Sequence, residues 1–429
     1  MTQLFATILV LGFMVLFIII GVPIFVSLGL SGAIGLIALR GSAALTLIPM
    51  NIIGHLNNFT LLSVPLFIFM AEAIMAIGLA KDIFTAAQKW LNKLPAPLAI
   101  ASIGACTMMG ALSGSMSASI GGIGSMAIPE MLDRKYSPRL AVGSVACASG
   151  LAFIIPPSQG FILYGWLTDT SVGKLFIAGI IPGLLLAFAL ATTVFIMVRI
   201  KPDSAPGKEE ATWEERWSSL AKIWPAVVLV GAVMVTIYTG VCTPTEAAGV
   251  ASFVALVIAG VYYRKLNFKT LKQICMRTAR STCTLGILVA SASLFGNFLA
   301  LIGLPQKVSA AITGLDMGAM GVCAVICFMF FVAGVFFDGM AVMMIVLPIL
   351  KPALYALNVN MVWFGVLVSI MMAIGVISPP FAVNLFMIKG MVPQLETKDI
   401  FLGVIPYMIA MLVVVVLLFI FPGLCTCLI

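Results

Sequence analysis

Apolar residues dominate this chain in long runs, cut at a few places by proline, glycine and serine. Runs near 4–22, 23–39, 61–79, 175–199, 223–241, 244–263, 281–303 and 400–422 predict helices able to cross a hydrocarbon core of about 30 Å. Two further runs, 140–168 and 361–390, are broken at 156–157 and 379–380 by proline pairs. Two others, near 96–130 and 318–350, carry small or polar residues midway (Ser113-Gly114-Ser115 and Asp338-Gly339) and predict re-entrant hairpins. The period changes at 81–94, where Ile83, Phe84, Ala87, Trp90, Leu91 and Leu94 share one helical face opposite Lys81, Lys89 and Lys93. Trp213, Trp217, Leu220 and Trp224 form a similar stripe. Both fit helices lying in the membrane interface, and the second fits almost as well a surface helix packed on neighbouring spans. The stretch holding His55 reads as a loop, and 264–280 as a basic loop.

The interruptions repeat. Ser115 to Pro157 is 42 residues, and Asp338 to Pro380 is also 42. Ala76-Ile77-Gly78-Leu79-Ala80 matches Leu301-Ile302-Gly303-Leu304-Pro305 at an offset of 225, and Gly21-Val22-Pro23 matches Val241-Cys242-Thr243-Pro244 at 221. A near-constant offset predicts an internal duplication. The first repeat is 1–200, with frame helices in 1–94 and a hairpin plus broken helix in 96–168. A linker with an amphipathic helix covers 201–222. The second repeat is 223–429, with frame helices in 223–303, a hairpin plus broken helix in 318–390 and a final helix at 400–422. Five crossings per half make the repeats inverted. Nineteen of the 23 Lys and Arg then fall in loops 81–93, 130–139, 199–222, 264–280 and 389–398, on one side. Only Arg40, Lys174, Lys307 and Lys351 lie on the other. The positive-inside rule makes the first side cytoplasmic and both termini periplasmic.

Composition sharpens this picture. Hydrophobic residues are 62% of 429 and charged residues 9%, against about 25% charged in a soluble domain. The expected class is an all-α polytopic inner-membrane protein. The net charge of +8 then reflects basic loops meeting anionic membrane lipid, not nucleic acid. No basic region or small-residue cleavage site precedes the first apolar run, so that run is expected to be retained. Cys323-x-x-x-Cys327 and Cys425-x-Cys427 lack a second Cys/His pair and read as small buried residues. No Gly-x4-Gly-Lys-Ser/Thr loop for nucleotide-driven pumping occurs.

Paired interruptions in two halves point to a secondary transporter whose site lies between broken helices. Ser113-Gly114-Ser115-Met116-Ser117 frees backbone carbonyls and amides that protein, water or an ion must satisfy inside a bilayer. Carbonyls and hydroxyls suit sodium, and inward-pointing helix N-termini suit an anionic substrate. The same small residues could instead serve close helix packing, the reading preferred for Gly121-Gly122-Ile-Gly124. Glu72, Glu246 and Asp338 are carboxylates within apolar regions, and a buried carboxylate is a functional candidate because burial costs several kcal/mol. Asp338 matches Ser115 and is expected to ligate a cation or stabilise its tip. Glu246 reads as a cap for free amides. Glu72 aligns with Asn297 and could face the boundary between moving part and frame. Asn384 and Ser158-Gln159 lie just beyond the two breaks.

The runs Leu112-Ser-Gly-Ser-Met-Ser-Ala118, Ile155-Pro-Pro-Ser158, Thr243-Pro-Thr-Glu-Ala-Ala248, Gly334-x3-Asp338 and Gly375-Val-Ile-Ser-Pro-Pro380 with Asn384-Leu385 resemble the large membrane subunit of tripartite ATP-independent periplasmic (TRAP) transporters. The resemblance covers essentially the whole chain in order. Ser378 stands where that family more often has Thr. The resemblance implies an elevator-type transport unit of two hairpins and two broken helices, held by a scaffold that includes a separate small four-helix membrane subunit. It also implies a soluble periplasmic binding protein that delivers an organic acid anion, such as a C4-dicarboxylate or sialic acid, with Na+ driving uptake. Sodium ligands are expected among Ser113, Ser115, Pro156, Gly334, Asp338, Gly339, Ser378 and Pro379. Substrate contacts are expected from Ser113, Gly114, Ser115, Ser117, Ser158, Gln159 and Asn384.

Two other classes compete. A stand-alone ion-coupled anion symporter or ion antiporter of the same superfamily would share the repeats. An intramembrane serine hydrolase would need a base within reach of a tip serine, and the single histidine is placed in a loop away from them. The chain is expected not to be an enzyme.

Overall fold

In hydrocarbon an unpaired backbone N–H or C=O costs several kcal/mol, and a helix pairs them within one segment. The computed structural model describes residues 3–206, 211–314, 317–380 and 382–429. Every regular element among them is a helix. Seven of the described helices are long and apolar enough to cross a membrane, or nine if each of two bent pairs counts as one span. The chain is an all-α polytopic membrane protein. Positions 207–210 of the expected linker and Phe381 of the second break lie outside the described residues.

The two halves carry the same series of elements. Ile24–Arg40 corresponds to Pro244–Val257 with its continuation to Tyr262, and Leu79–Leu91 to Leu304–Thr313. The hairpin of Pro97–Ser113 and Met116–Asp133 corresponds to Gly318–Phe336 with Gly339–Ala356. The broken pair Pro138–Phe153 and Gln159–Thr168 corresponds to Met361–Ile377 and Val383–Met391, and Val172–Ile200 to Thr397–Ile420. Gly78 (φ +83°) and Gly303 (φ +68°) hold the same left-handed corner in each half, a conformation glycine adopts without steric cost. At the first corner Ser63–Ile77 bends by 71° into Leu79–Leu91.

Two expectations from the sequence are corrected. The stretch read as a loop around His55 is the helix Ala44–Leu56, with Pro49 inside it and His55 in its last turn. Leu45, Ile48, Ile52 and Leu56 supply its apolar spacing, which Pro49 and the neighbouring asparagines obscure. The basic loop expected at 264–280 is helical from Phe268, where Asn267 Oδ1 accepts from Thr270 N at 2.8 Å. Phe268–Leu301 therefore runs 34 residues, about 51 Å at 1.5 Å per residue, and its basic first turns outrun the hydrocarbon thickness. Its counterpart in the first half is interrupted: Ala44–Leu56, a break at 57–62, then Ser63–Ile77.

The repeats interlock. Ile24–Arg40 packs on Phe268–Leu301, with Gly32 against the backbone of Phe295 and Gly35 against the Phe298 ring. Reciprocally, Pro244–Val257 packs on Ser63–Ile77, and Ser252 Oγ donates to Leu66 C=O at 2.7 Å. The second helix of each half thus lies on the third element of the other. Pro138–Ser149 and Met361–Ile377 are deeply buried: every residue from Leu140 to Ser149 and from Trp363 to Ile377 is covered. A helix apolar on all sides belongs either in such a core or against lipid, and Met361–Ile377 is in the core. Gly122 and Gly124 serve packing as expected, since a Cβ at either would press on Met75 or Val145. The two amphipathic segments meet: Trp90 Nε1 donates to Arg216 C=O at 3.1 Å, Lys89 pairs with Glu215 at 3.1 Å, and the Trp90 and Trp217 rings meet edge to face. Ile83 and Phe84 are buried, whereas Trp213 and Trp217 stay exposed.

Candidate functional site

Each hairpin turns through a residue that caps the returning helix. In the first, Gly114 takes φ +59° and Ser115 is extended, its Oγ accepting from Ala118 N at 3.4 Å. Ser113 Oγ donates to Met109 C=O at 2.8 Å and lies close to Ser115 C=O at 3.3 Å. In the second, Asp338 is extended and its Oδ1 accepts from Met340 N at 3.0 Å and Ala341 N at 3.2 Å. Serine and aspartate are both good N-caps because a short side-chain oxygen reaches amides that the helix leaves unpaired. Asp338 differs in having a second carboxylate oxygen, Oδ2, without a hydrogen-bond partner among the described residues.

The tips dock on the breaks. Gln159 Nε2 donates to Ser113 C=O at 3.5 Å, joining the first tip to the first break. A Cβ on Gly110 would lie 3.0 Å from Ala152 Cα, so the hairpin and the broken helix touch backbone to backbone. The second half repeats the device: a Cβ on Gly375 would lie 2.8 Å from Gly334 Cα. Pro156-Pro157 and Pro379-Pro380 are both cis. Asn384, just past the second break, lies with Nδ2 3.7 Å from Sδ of Met116, so the second break also meets the first tip.

These contacts enclose a cavity of about 190 Å³ lined from both tips: Gly114, Ser115 and Ser117 from the first, and Gly334 and Asp338 from the second, with Asn384 from the second break. Residues separated by more than 200 positions are thereby brought together. Phe153, Phe336, Phe337, Met340 and Val376 supply apolar walls that the sequence did not mark individually as site residues, although all but Phe153 fall within the second tip and break. A second cavity, about 380 Å³, takes Ser113, Ser115 and Gln159 on one side. A third, about 470 Å³ and mostly apolar, also takes Gln159 and lies against the break at 57–62. Pro156, Ser158, Gly339, Ser378 and Pro379 line none of the three. The hydroxyls of Ser158 and Ser378 are spent locally, donating to Phe153 C=O and Ile374 C=O, each at 2.6 Å.

The far wall of the second cavity is built by Ser63–Ile77 and Phe268–Leu301, which place Glu72, Arg280, Ser281 and Thr284 opposite the first tip. Arg277 pairs with Glu72 at 3.6 Å. Arg280 was hidden in the stretch read as a loop. The signal that finds it is the spacing of Arg277, Arg280, Ser281 and Thr284, a polar stripe at i, i+3, i+4 and i+7 on one helix face. Glu246 caps, as expected: Thr243 and Glu246 form a reciprocal capping box, with Thr243 N donating to Glu246 Oε2 at 2.8 Å. His55 lines none of the three cavities.

Comparison with known proteins agrees with this architecture. The isethionate TRAP transporter permease protein of Oleidesulfovibrio alaskensis is 31% identical over 413 residues, covering 95% of this chain; the chain spans 64% of that protein's length. The ectoine TRAP transporter large permease protein of Halomonas elongata is 31% identical over 97% of both chains. The C4-dicarboxylate TRAP transporter large permease protein of Pseudomonas aeruginosa is 31% identical over 89% of this chain and 91% of its own. Among solved structures, the Alcanivorax borkumensis YdaH transporter superposes with a TM-score of 0.63 at 14% identity over 90% of each chain, a likeness of fold alone. Neisseria gonorrhoeae MtrF gives 0.64 at 14% identity, covering 89% of this chain and 85% of its own. The family described as "Tripartite ATP-independent periplasmic transporter, DctM component" matches residues 11–424. With two capped hairpin tips meeting in one cavity and this match along nearly its whole length, the chain belongs to the DctM family of tripartite ATP-independent periplasmic transporters.

Proposed function

We propose that this chain is the large permease of a sodium-coupled, binding-protein-dependent transporter that takes up an organic acid anion across the bacterial inner membrane. The observation that carries the reading is the cavity into which Ser115, Asp338 and Asn384 converge from both halves. Tip carbonyls and hydroxyls together with the Asp338 carboxylate make a hard-oxygen donor set suited to Na+. Ser113, Ser115 and Asp338 are the leading ligand candidates, with Gly334 able to offer a carbonyl. Substrate is held beside them by Ser117, Asn384 and Gln159. The hairpins and broken helices move as one body against the frame, carrying the site from one face to the other. The lysine- and arginine-rich face is cytoplasmic, which leaves both termini periplasmic. A soluble binding protein docks on the face of Arg40, Lys174, Lys307 and Lys351, and a small membrane subunit widens the frame. The relatives named for isethionate, ectoine and C4-dicarboxylates support small polar acids and zwitterions as the substrate range.

The test is uptake into proteoliposomes holding this chain with its small subunit, screened over succinate, isethionate, N-acetylneuraminate and ectoine, with and without an inward sodium gradient. Uptake that needs both sodium and the binding protein is expected. Equal uptake without the binding protein would favour the stand-alone carrier. Cysteine pairs joining the hairpins to Phe268–Leu301 are expected to cross-link differently with and without sodium and substrate, and an invariant pattern would count against a moving unit.

A further inference from the structure

We infer that Arg280, on the frame and outside the tips and breaks, is the residue that reads the acidic group of the substrate. This rests on the transport reading above and names the substrate class for it: an anion bearing a carboxylate or sulfonate. The cavity of about 380 Å³ has two unlike walls. One is the first tip and break, which offer hydroxyls and an amide (Ser113, Ser115 and Gln159) but no charge. The other carries Glu72, Arg280 and Thr284. The charges do not cancel. Arg277 neutralises Glu72 at 3.6 Å, whereas the Arg280 guanidinium makes no ion pair with any described residue. Thr284 Oγ1 is turned to Arg280 C=O at 3.0 Å, a backbone contact that leaves the guanidinium free. With Arg277 counted behind the lining, Glu72, Arg277 and Arg280 sum to one positive charge on this wall, opposite neutral groups fit to hold the rest of a small acid.

The repeat shows that this charge is a local addition. Glu72 corresponds to Asn297 at an offset of 225, and Asn297 Nδ2 donates to Asn51 Oδ1, one position away from Ile52, which stands where Arg277 does in the other half. That pair is neutral and joins the corresponding elements of the opposite halves. At the offset of 225 Arg280 corresponds to His55, which lines none of the three cavities. A planar guanidinium with several donors also suits a carboxylate or sulfonate in two-point contact. A zwitterion gains less from it, because its own cation must then lie near the positive wall.

The experiment uses the complete permease with its small subunit, carrying Ala118→Cys, a position that lines the same cavity. Modification of position 118 is followed by peptide mass spectrometry, which separates it from the native cysteines. Two reagents of similar size are compared: an anionic methanethiosulfonate bearing a sulfonate and a cationic one bearing a quaternary ammonium. A single charge several ångströms away changes the ratio of their rates by about three- to tenfold, so Arg280→Gln should lower the anion-to-cation ratio by that factor. In parallel, the apparent KM for whichever acid the wild type takes up should rise about tenfold in Arg280→Gln with kcat little changed, and Arg280→Lys, which keeps the charge but not the two-point contact, should recover part of it. An unchanged reagent ratio overturns the inference whatever transport does. A changed ratio with an unchanged KM overturns the substrate role. Failure of the wild type to take up any acid would overturn the transport reading, while the reagent ratio would still decide whether Arg280 draws anions into this cavity.

Discussion

The two hairpin tips cap their returning helices in the same way but reach the cap through different backbones and with different chemistry. Ser115 and Asp338, 223 positions apart, are both extended residues that cap the returning helix, and both line the cavity of about 190 Å³. The first tip reaches its turn through a left-handed glycine and is latched to its break by a side chain, Gln159 to Ser113 C=O. The second is reached through an extended Phe337, rests on a glycine-to-glycine contact and holds the carboxylate. The capping and the close backbone approach are common to both tips, because both are demands of the fold. The charge differs: Asp338 brings a carboxylate to the shared cavity where the first tip has a hydroxyl, and a second carboxylate beside it would add repulsion and desolvation cost.

The largest expected effect comes from removing that charge. Asp338→Ala should reduce sodium-dependent uptake to background. Asp338→Asn should do the same while unfolding thermally like the wild type, because its amide oxygen can still cap Met340 and Ala341. Sodium-dependent uptake at the wild-type rate in Asp338→Asn would refute the assignment. The backbone contacts come next. Gly375→Ala forces a Cβ to 2.8 Å from Gly334 Cα and should cost about 1–3 kcal/mol of stability; Gly110→Ala, at 3.0 Å from Ala152 Cα, should cost less. Detergent melting curves rank the two, and the reverse order would break the proposed equivalence of the contacts. Ser115→Ala should have the smallest effect on folding, about 0.5 kcal/mol, because its capping bond is long at 3.4 Å. Its uptake should fall by much less than that of Asp338→Ala, and a loss as complete would mean that the tips share the work equally.

Much of the architecture was legible in the residues because membrane insertion restricts the backbone so strongly. Apolar runs had to be helices, proline pairs had to break them, and a duplicated 42-residue spacing had to place the breaks alike. Where local signals conflicted, the reading failed. Pro49 and the polar residues Asn51, His55, Asn57 and Asn58 masked the helix Ala44–Leu56, and Lys269, Lys272, Arg277 and Arg280 masked the first turns of Phe268–Leu301. In both cases packing against the other half supplies the stability that local propensity lacks.

The candidate site divides in the same way. That Ser113, Ser115, Asp338 and Asn384 are unusual positions follows from sequence alone, since small and polar residues inside apolar runs leave backbone groups to be satisfied. Which of them share a cavity was decided only by tertiary structure. Asn384 approaches Met116 across 268 positions, Gln159 reaches Ser113 across 46, and Ser158 and Ser378 turn instead to carbonyls within five residues of themselves. Helical periodicity sets the direction of a side chain relative to its own axis. The helix it then faces depends on how the two repeats interlock, and the close glycine contacts at Gly32, Gly334 and Gly375 that seat the helices against one another exist only in the folded chain.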